Sequence, residues 1–175
     1  AAAGLSVIAV TDHDTTAAVA AVREAAAERG MLAIAGIEIT AVARGRDVHV
    51  LGYLFDPVQQ ELGEFLTDQR ATRVARAEAI GERLAALGMP LDVAALLDEA
   101  RQHRGRSVGR PVIARAMVEA GYVSDLREAF DKWLGHDGPA FVPRTGASPE
   151  AVIALVHRAG GVASLAHPGR TCIDD

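Results

Sequence analysis

Leu5 to Val10 is a run of six mostly apolar residues that stops at four polar ones, Thr11-Asp12-His13-Asp14. An apolar run of this length without alternation predicts a strand buried on both faces, as in a parallel sheet. In such sheets chemistry collects where strands end. Taken alone, Asp12 and Asp14 serve equally well as caps of a following helix, with His13 an ordinary loop residue. The chemical reading depends on whether the pattern recurs downstream.

Composition narrows the classes. With 175 residues, 50% of them hydrophobic, the chain can bury one sizeable core. A net charge of -5 with no basic run argues against duplex DNA held by a broad electrostatic surface. The single cysteine, Cys172, excludes an internal disulfide and any zinc site built on several thiolates. A cytoplasmic location fits that usage. No apolar run is long enough to cross a membrane as a helix, and no signal peptide is visible. Ala1-Ala2-Ala3-Gly4 resembles the tail of a helix, and Asp175 follows closely on a strand-like segment. Both ends are therefore expected to be cut.

Downstream of Asp14, Thr15 or Thr16 is the expected N-cap of a helix reaching Arg29, with Gly30 just past its end. Met31 to Thr40 predicts a second strand, in which Glu38 alternates with Ile37 and Ile39. Arg44-Gly45-Arg46 is a turn, and Asp47 to Phe55 predicts a third strand carrying His49. From Val58 to Leu134 the pattern becomes helical and charged. A long helix is closed by Gly88 and Pro90, and a shorter one covers Val93 to Arg101. After a basic loop at Gly105 to Gly109, a third helix has Pro111 at its first turn and Gly121 at its end. Ser124 is expected to cap a fourth, ending at Leu134-Gly135. Ser148-Pro149-Glu150 then opens another helix, and Val162 to Ala166 predicts a last buried strand stopping at His167. This pattern predicts an α/β domain over residues 1–57 and 138–175, with a helical subdomain inserted at 58–137.

The opening pattern has now recurred. His13 and His167 follow strands, and Glu38 and His49 lie within two others, at or near their C-terminal parts. Three imidazoles and one carboxylate can converge at one mouth of a parallel sheet or barrel. Nitrogen and oxygen ligands without thiolate suit manganese, iron or zinc rather than calcium. Glu38, the one carboxylate, is the candidate to bridge two ions. His103, His136 and His157 do not share this placement.

Thr11-Asp12-His13-Asp14, Gly36-Ile37-Glu38, His49-Val50-Leu51-Gly52 and Ala166-His167-Pro168-Gly169 together resemble the successive motifs of the polymerase and histidinol phosphatase (PHP) metallophosphoesterases. Arg73-Val74-Ala75-Arg76, Gly109-Arg110-Pro111 and Phe130-Asp131-Lys132-Trp133-Leu134-Gly135 are similar to the helical insertion of one branch, the 3′,5′-nucleoside bisphosphate phosphatases, which includes RNase AM. The resemblance covers essentially the whole chain. It implies part of a distorted (β/α)7 barrel with up to three divalent metal ions, manganese first. His13, Glu38, His49 and His167 fall on its metal-ligand positions. An N-terminal His-x-His motif and a C-terminal Asp-x-His motif of the family fall outside the 175 residues, so this stretch alone is expected to be inactive. Val112 stands where a His often follows in this branch.

The chemistry so implied is hydrolysis of a phosphate from a nucleoside 3′,5′-bisphosphate or from short RNA, exonucleolytically, by a metal-held hydroxide. No protein nucleophile is assigned, because no Ser-His-Asp or Cys-His arrangement is evident. Arg73, Arg76, Arg110 and Lys132 are the candidates for binding a second phosphate. Arginine does so as a bidentate fork and lysine as a point charge. Two alternatives keep the fold, a histidinol-phosphate phosphatase and a polymerase-associated exonuclease. A third, a catalytically dead binding module, keeps only the architecture. Oligomeric state has no signature in the sequence.

Overall fold

The computed structural model describes residues 4–102 and 109–170. The helix tail expected at Ala1 to Ala3, most of the basic loop before Gly109, His103 and Cys172 lie outside the described residues. The fold is mixed α/β. Strands β1 (Val7–Ala9), β2 (Leu32–Ile34), β3 (Gly36–Ala43) and β4 (Arg46–Tyr53), with helix α1 (Val19–Ala27) after β1, precede the long helix α2 (Gln60–Ala86). Helices α3 (Val93–Gln102), α4 (Arg110–Glu119) and α5 (Leu126–Ala129), and a π-helical turn (Phe130–Leu134), follow. Helix α6 (Pro149–Arg158), strand β5 (Val162–Leu165) and a 3₁₀ turn (Pro168–Arg170) complete the order. The chain divides into two compact units, Ala1–Gln69 with Thr145–Asp175, and Arg70–Arg144. The first division falls inside α2, nearly three turns after its start.

In the first unit, β1 and β2 pair in parallel around α1, with Val7 opposite Leu32. β3 and β4 form an antiparallel hairpin, and β5 joins β4 antiparallel, with Val50 opposite Leu165. The hairpin follows from its turn. Arg44 and Gly45 both have positive φ, 50° and 74°, the geometry of a two-residue turn whose twist matches that of its strands. Ile37, Ile39, Val48 and Val50 on one face of the hairpin pack with Val152, Leu155 and Val156 of α6. Each such side chain contributes roughly 1.5–3 kcal/mol by leaving water. Ser148 caps α6 by accepting from the Ala151 N–H, with Pro149 in the first turn, as its sequence foretells.

Four expectations about the first unit are corrected. The run at Leu5 to Val10 is not buried on both faces: Val7 is 51% exposed, because β2 is the only strand β1 pairs with among the described residues. Met31 to Thr40 is two strands, β2 and β3, which pair in different sheets. The break falls at Ala35, and β3 opens on Gly36, where an added Cβ would meet the Val10 carbonyl oxygen at 2.7 Å. The sheet holding Glu38 and His49 is antiparallel, so the two residues do not sit at C-terminal strand ends: Glu38 is third in β3 and His49 fourth in β4. Finally, neither Thr15 nor Thr16 caps α1, whose N-cap is Ala18 without a side-chain bond.

The second unit is helical. Ile80 and Leu84 of α2, Ile113 and Met117 of α4, and Leu134 of the π-helical turn form its core. Asp125, one residue beyond the expected Ser124, is the N-cap of α5 and accepts from the Glu128 N–H. Ser124 instead donates its hydroxyl and its backbone N–H to the Glu128 carboxylate, each at 2.7 Å. No helix among the described residues is long and apolar enough to cross a membrane.

Candidate metal centre

The first unit brings His13, Glu38, His49 and His167 to one point. His13 lies just past β1 in an isolated parallel bridge with Glu38. Glu38 and His49 reach the same face of the hairpin, because Thr40, two residues from Glu38, stands opposite His49. His167 follows β5, and the bond from the Ala166 N–H to the His49 carbonyl, 2.9 Å, brings it alongside.

Glu38 is the hub. Its Oε1 lies 2.9 Å from His49 Nδ1 and 3.1 Å from His167 Nε2, and its Oε2 lies 3.7 Å from His13 Nε2. His49 Nδ1 and His167 Nε2 are 3.1 Å apart. The His49 ring meets those of His13 and His167 edge to face, with centroids 4.8 and 5.0 Å away. A cation bound at about 2.0–2.1 Å holds neighbouring donor atoms about 3.0–3.4 Å apart. The candidate ligand atoms of His13, Glu38 and His49 all lie within 4.8 Å of one another, and His167 meets this group through Glu38 and His49 at 3.1 Å each.

The electrostatics suit the same use. Burial, followed by the neighbouring His13, lowers the His49 pKa from its ordinary 6.5, against the opposing pull of Glu38. A neutral imidazole is the form that ligates a metal. Glu38 is 15% exposed, shielded enough to be a strong acceptor and open enough to be reached. The set of three imidazoles and one carboxylate therefore fits a borderline divalent cation.

Asp14 was not recognised as part of this arrangement from sequence. It caps no helix. Its buried carboxylate accepts from the Thr40 N–H at 2.7 Å and from the Thr40 hydroxyl at 3.2 Å. Its one sequence signal is the polar residue next to His13.

Within the second unit, Arg73 and Arg76 of α2, Arg110 at the start of α4, and Arg144 line one cavity together with Ala77, Ile80, Gly109 and Ile113. Arg76 and Arg110 both lie over the Phe141 ring, 5.9 and 5.7 Å from its centroid. Arg76 Nε donates to the Val142 carbonyl at 2.8 Å, and Arg110 donates to that of Leu134 at 3.3 Å. The Nε atoms of Arg73 and Arg144 are buried. Four guanidinium groups around one cavity, one at a helix N-terminus, make a positive potential suited to an anion. Arg144 carried no signal in the sequence beyond its type. Lys132 is not among the lining residues: it is exposed and ion-paired with Glu128 at 2.8 Å. His136 and His157 are exposed.

No family model matches the chain. It is 38% identical over 165 residues to the 5′-3′ exoribonuclease Rnm of Escherichia coli, covering 93% of this chain and 55% of that protein. It is 34% identical over 167 residues to the 3′,5′-nucleoside bisphosphate phosphatase of Chromobacterium violaceum, covering 94% of this chain and 57% of that protein. A crystal structure from Bifidobacterium adolescentis, named for a metal-dependent phosphoesterase, superposes with a TM-score of 0.83 at 33% identity, over 99% of this chain and 60% of that one. The chain thus spans a little over half the length of the relatives it matches.

Proposed function

We propose, from its similarity to 5′-3′ exoribonucleases and to a 3′,5′-nucleoside bisphosphate phosphatase, that this chain carries the metal centre of a PHP-type phosphoesterase. The observation that carries the reading is the convergence of His13, His49 and His167 on Glu38, at separations of 2.9 to 3.7 Å. We assign these four residues as ligands of a divalent metal, manganese, zinc or iron by donor type. The complete protein, on this reading, is a distorted (β/α)7 barrel, of which the parallel β1–α1–β2 unit is one repeat.

A metal bound there would neutralise phosphoryl charge and activate water. The protein groups contribute the rest. His49, kept neutral by burial, offers a lone pair rather than a proton. Glu38 supplies the anionic donor that the three imidazoles lack. The substrate class we propose is a nucleoside 3′,5′-bisphosphate or the end of a short RNA. Arg73, Arg76 and Arg110, with Arg144 added, are proposed to bind the phosphate that is not hydrolysed. Arginine suits this role because its fork matches two phosphate oxygens at once.

The test compares two substrates in the full-length gene product. Arg110→Ala and Arg144→Ala should lower kcat/KM on a 3′,5′-bisphosphate far more than on a simple ester with one phosphate. A charge-assisted bond of about 1.5–3 kcal/mol corresponds to a roughly ten- to hundred-fold loss on the bisphosphate. Parallel losses on both substrates, with a lower melting temperature, would assign the arginines to structure and remove the bisphosphate reading.

A further inference from the structure

Among the described residues, the buried polar side chains are Asp14, Thr40 and Gln69. All three belong to one hydrogen-bonded set. Asp14 accepts the Thr40 N–H at 2.7 Å and the Thr40 hydroxyl at 3.2 Å. Gln69 Nε2 donates to the Thr40 carbonyl at 2.7 Å. An otherwise apolar unit gains nothing from a buried carboxylate unless its bonds hold something in place.

What they hold is adjacent. Asp14 follows His13 and stands at φ 52°, in the left-handed region that aspartate and asparagine tolerate better than most residues. Its N–H donates to the Glu38 carbonyl at 2.9 Å, and the Glu38 N–H donates to the Asp12 carbonyl at 3.1 Å. Thr40 is two residues from Glu38 and stands directly opposite His49. One carboxylate is therefore tied to the backbone positions that present His13, Glu38 and His49.

We propose that Asp14 is the positioning residue of the metal centre, its carboxylate clamping the His13 loop through Thr40 onto β3 at the register where the ligating atoms of His13, Glu38 and His49 meet. The proposal rests on the metal-centre reading, and it gives Asp14 a positioning role rather than a ligating one. Partners that orient metal ligands characteristically alter affinity rather than chemistry when removed.

The test uses Mn²⁺ alone as probe in the full-length protein, by calorimetric titration, with melting temperatures alongside. Asp14→Gly tolerates the positive φ but cannot accept a bond, and should weaken Mn²⁺ binding by about ten- to a hundred-fold. Asp14→Asn keeps an acceptor for the Thr40 N–H and should recover most of that loss. Val152→Ala, a core change in the same unit, should lower the melting temperature and leave Mn²⁺ affinity unchanged. Asp14→Gly behaving as Val152→Ala does, less stable but equal in affinity, overturns the proposal. If Asp14→Gly does not fold, Thr40→Val must still bind Mn²⁺ more weakly than Thr40→Ser, and equal affinities overturn it. A second readout needs no metal. The nuclear Overhauser contact between the His13 and His49 rings, whose centroids are 4.8 Å apart, should weaken in Asp14→Gly or Thr40→Val and persist in Val152→Ala. A wild type that binds no Mn²⁺ would count against the metal centre, and this ring contact would then decide for or against the clamp.

Discussion

Glu38 carries the charge balance of the site: a single carboxylate faces three imidazoles at 2.9, 3.1 and 3.7 Å. Glu38→Gln keeps its size and removes the anionic donor. Loss of residues that merely orient a metal ligand costs about 10–100-fold in affinity, so loss of a ligand should cost more. The expected result is a metal-poor protein, by elemental analysis, whose melting temperature no longer rises on adding Mn²⁺. Full metal loading of Glu38→Gln would refute the assignment. The four residues of this group were legible in the sequence because each is a polar residue at or beside an apolar strand. Asp14 was not legible. Its decisive partner, Thr40, is 26 positions away, and nothing local distinguishes a clamping carboxylate from a cap. Arg144 was hidden for a similar reason, since only packing brings it beside Arg73, Arg76 and Arg110.

Elements were legible where their ends carry chemistry. Ser148-Pro149 and Gly109-Arg110-Pro111 mark helix starts, and α6 and α4 begin there. Strand direction was the larger error. Apolar runs without alternation suggested a parallel sheet, yet Arg44-Gly45 is too short for anything but a hairpin, and it makes β3 and β4 antiparallel. The π-helical turn after α5 had no sequence signal. The start of α5 makes a pH-dependent prediction. Hydrogen bonds from Lys132, and then from Ser124, hold the Glu128 carboxyl down from its ordinary 4.5 to about 2. Because its folded pKa is depressed, its contribution to stability is complete above 4.5 and fades as pH falls toward 2. Solvent screens this exposed pair, so the effect is small. The melting-temperature gap between wild type and Glu128→Gln should be constant above pH 5 or so and close as pH drops toward about 2. A gap independent of pH across that range would show that the carboxylate charge at this cap is idle.

At the scale of the whole molecule, the proposed metal ligands span nearly the entire chain, from His13 to His167, while the helical unit of Arg70–Arg144 is inserted between His49 and His167. The two stretches that build the first unit are joined by packing that does not involve the insertion: α6 covers the β3–β4 hairpin, and Arg158 forks onto Glu61 with bonds of 2.6 to 3.2 Å. In the sequence the pattern shifts from strand to helical at residue 58 and back at 138, whereas the compact helical unit is Arg70–Arg144, because α2 runs through the first boundary. How the motifs meet in space depended on strand pairing, which periodicity does not encode. That meeting is the central claim, and the most direct measurement is anomalous diffraction from crystals of the full-length protein grown with Mn²⁺. The expected result is a manganese peak within roughly 2.0–2.2 Å of the imidazole nitrogens of His13, His49 and His167 and of a Glu38 carboxylate oxygen, or a group of such peaks sharing those ligands. Saturating Mn²⁺ with no peak among these four side chains, or with peaks only elsewhere, would contradict it.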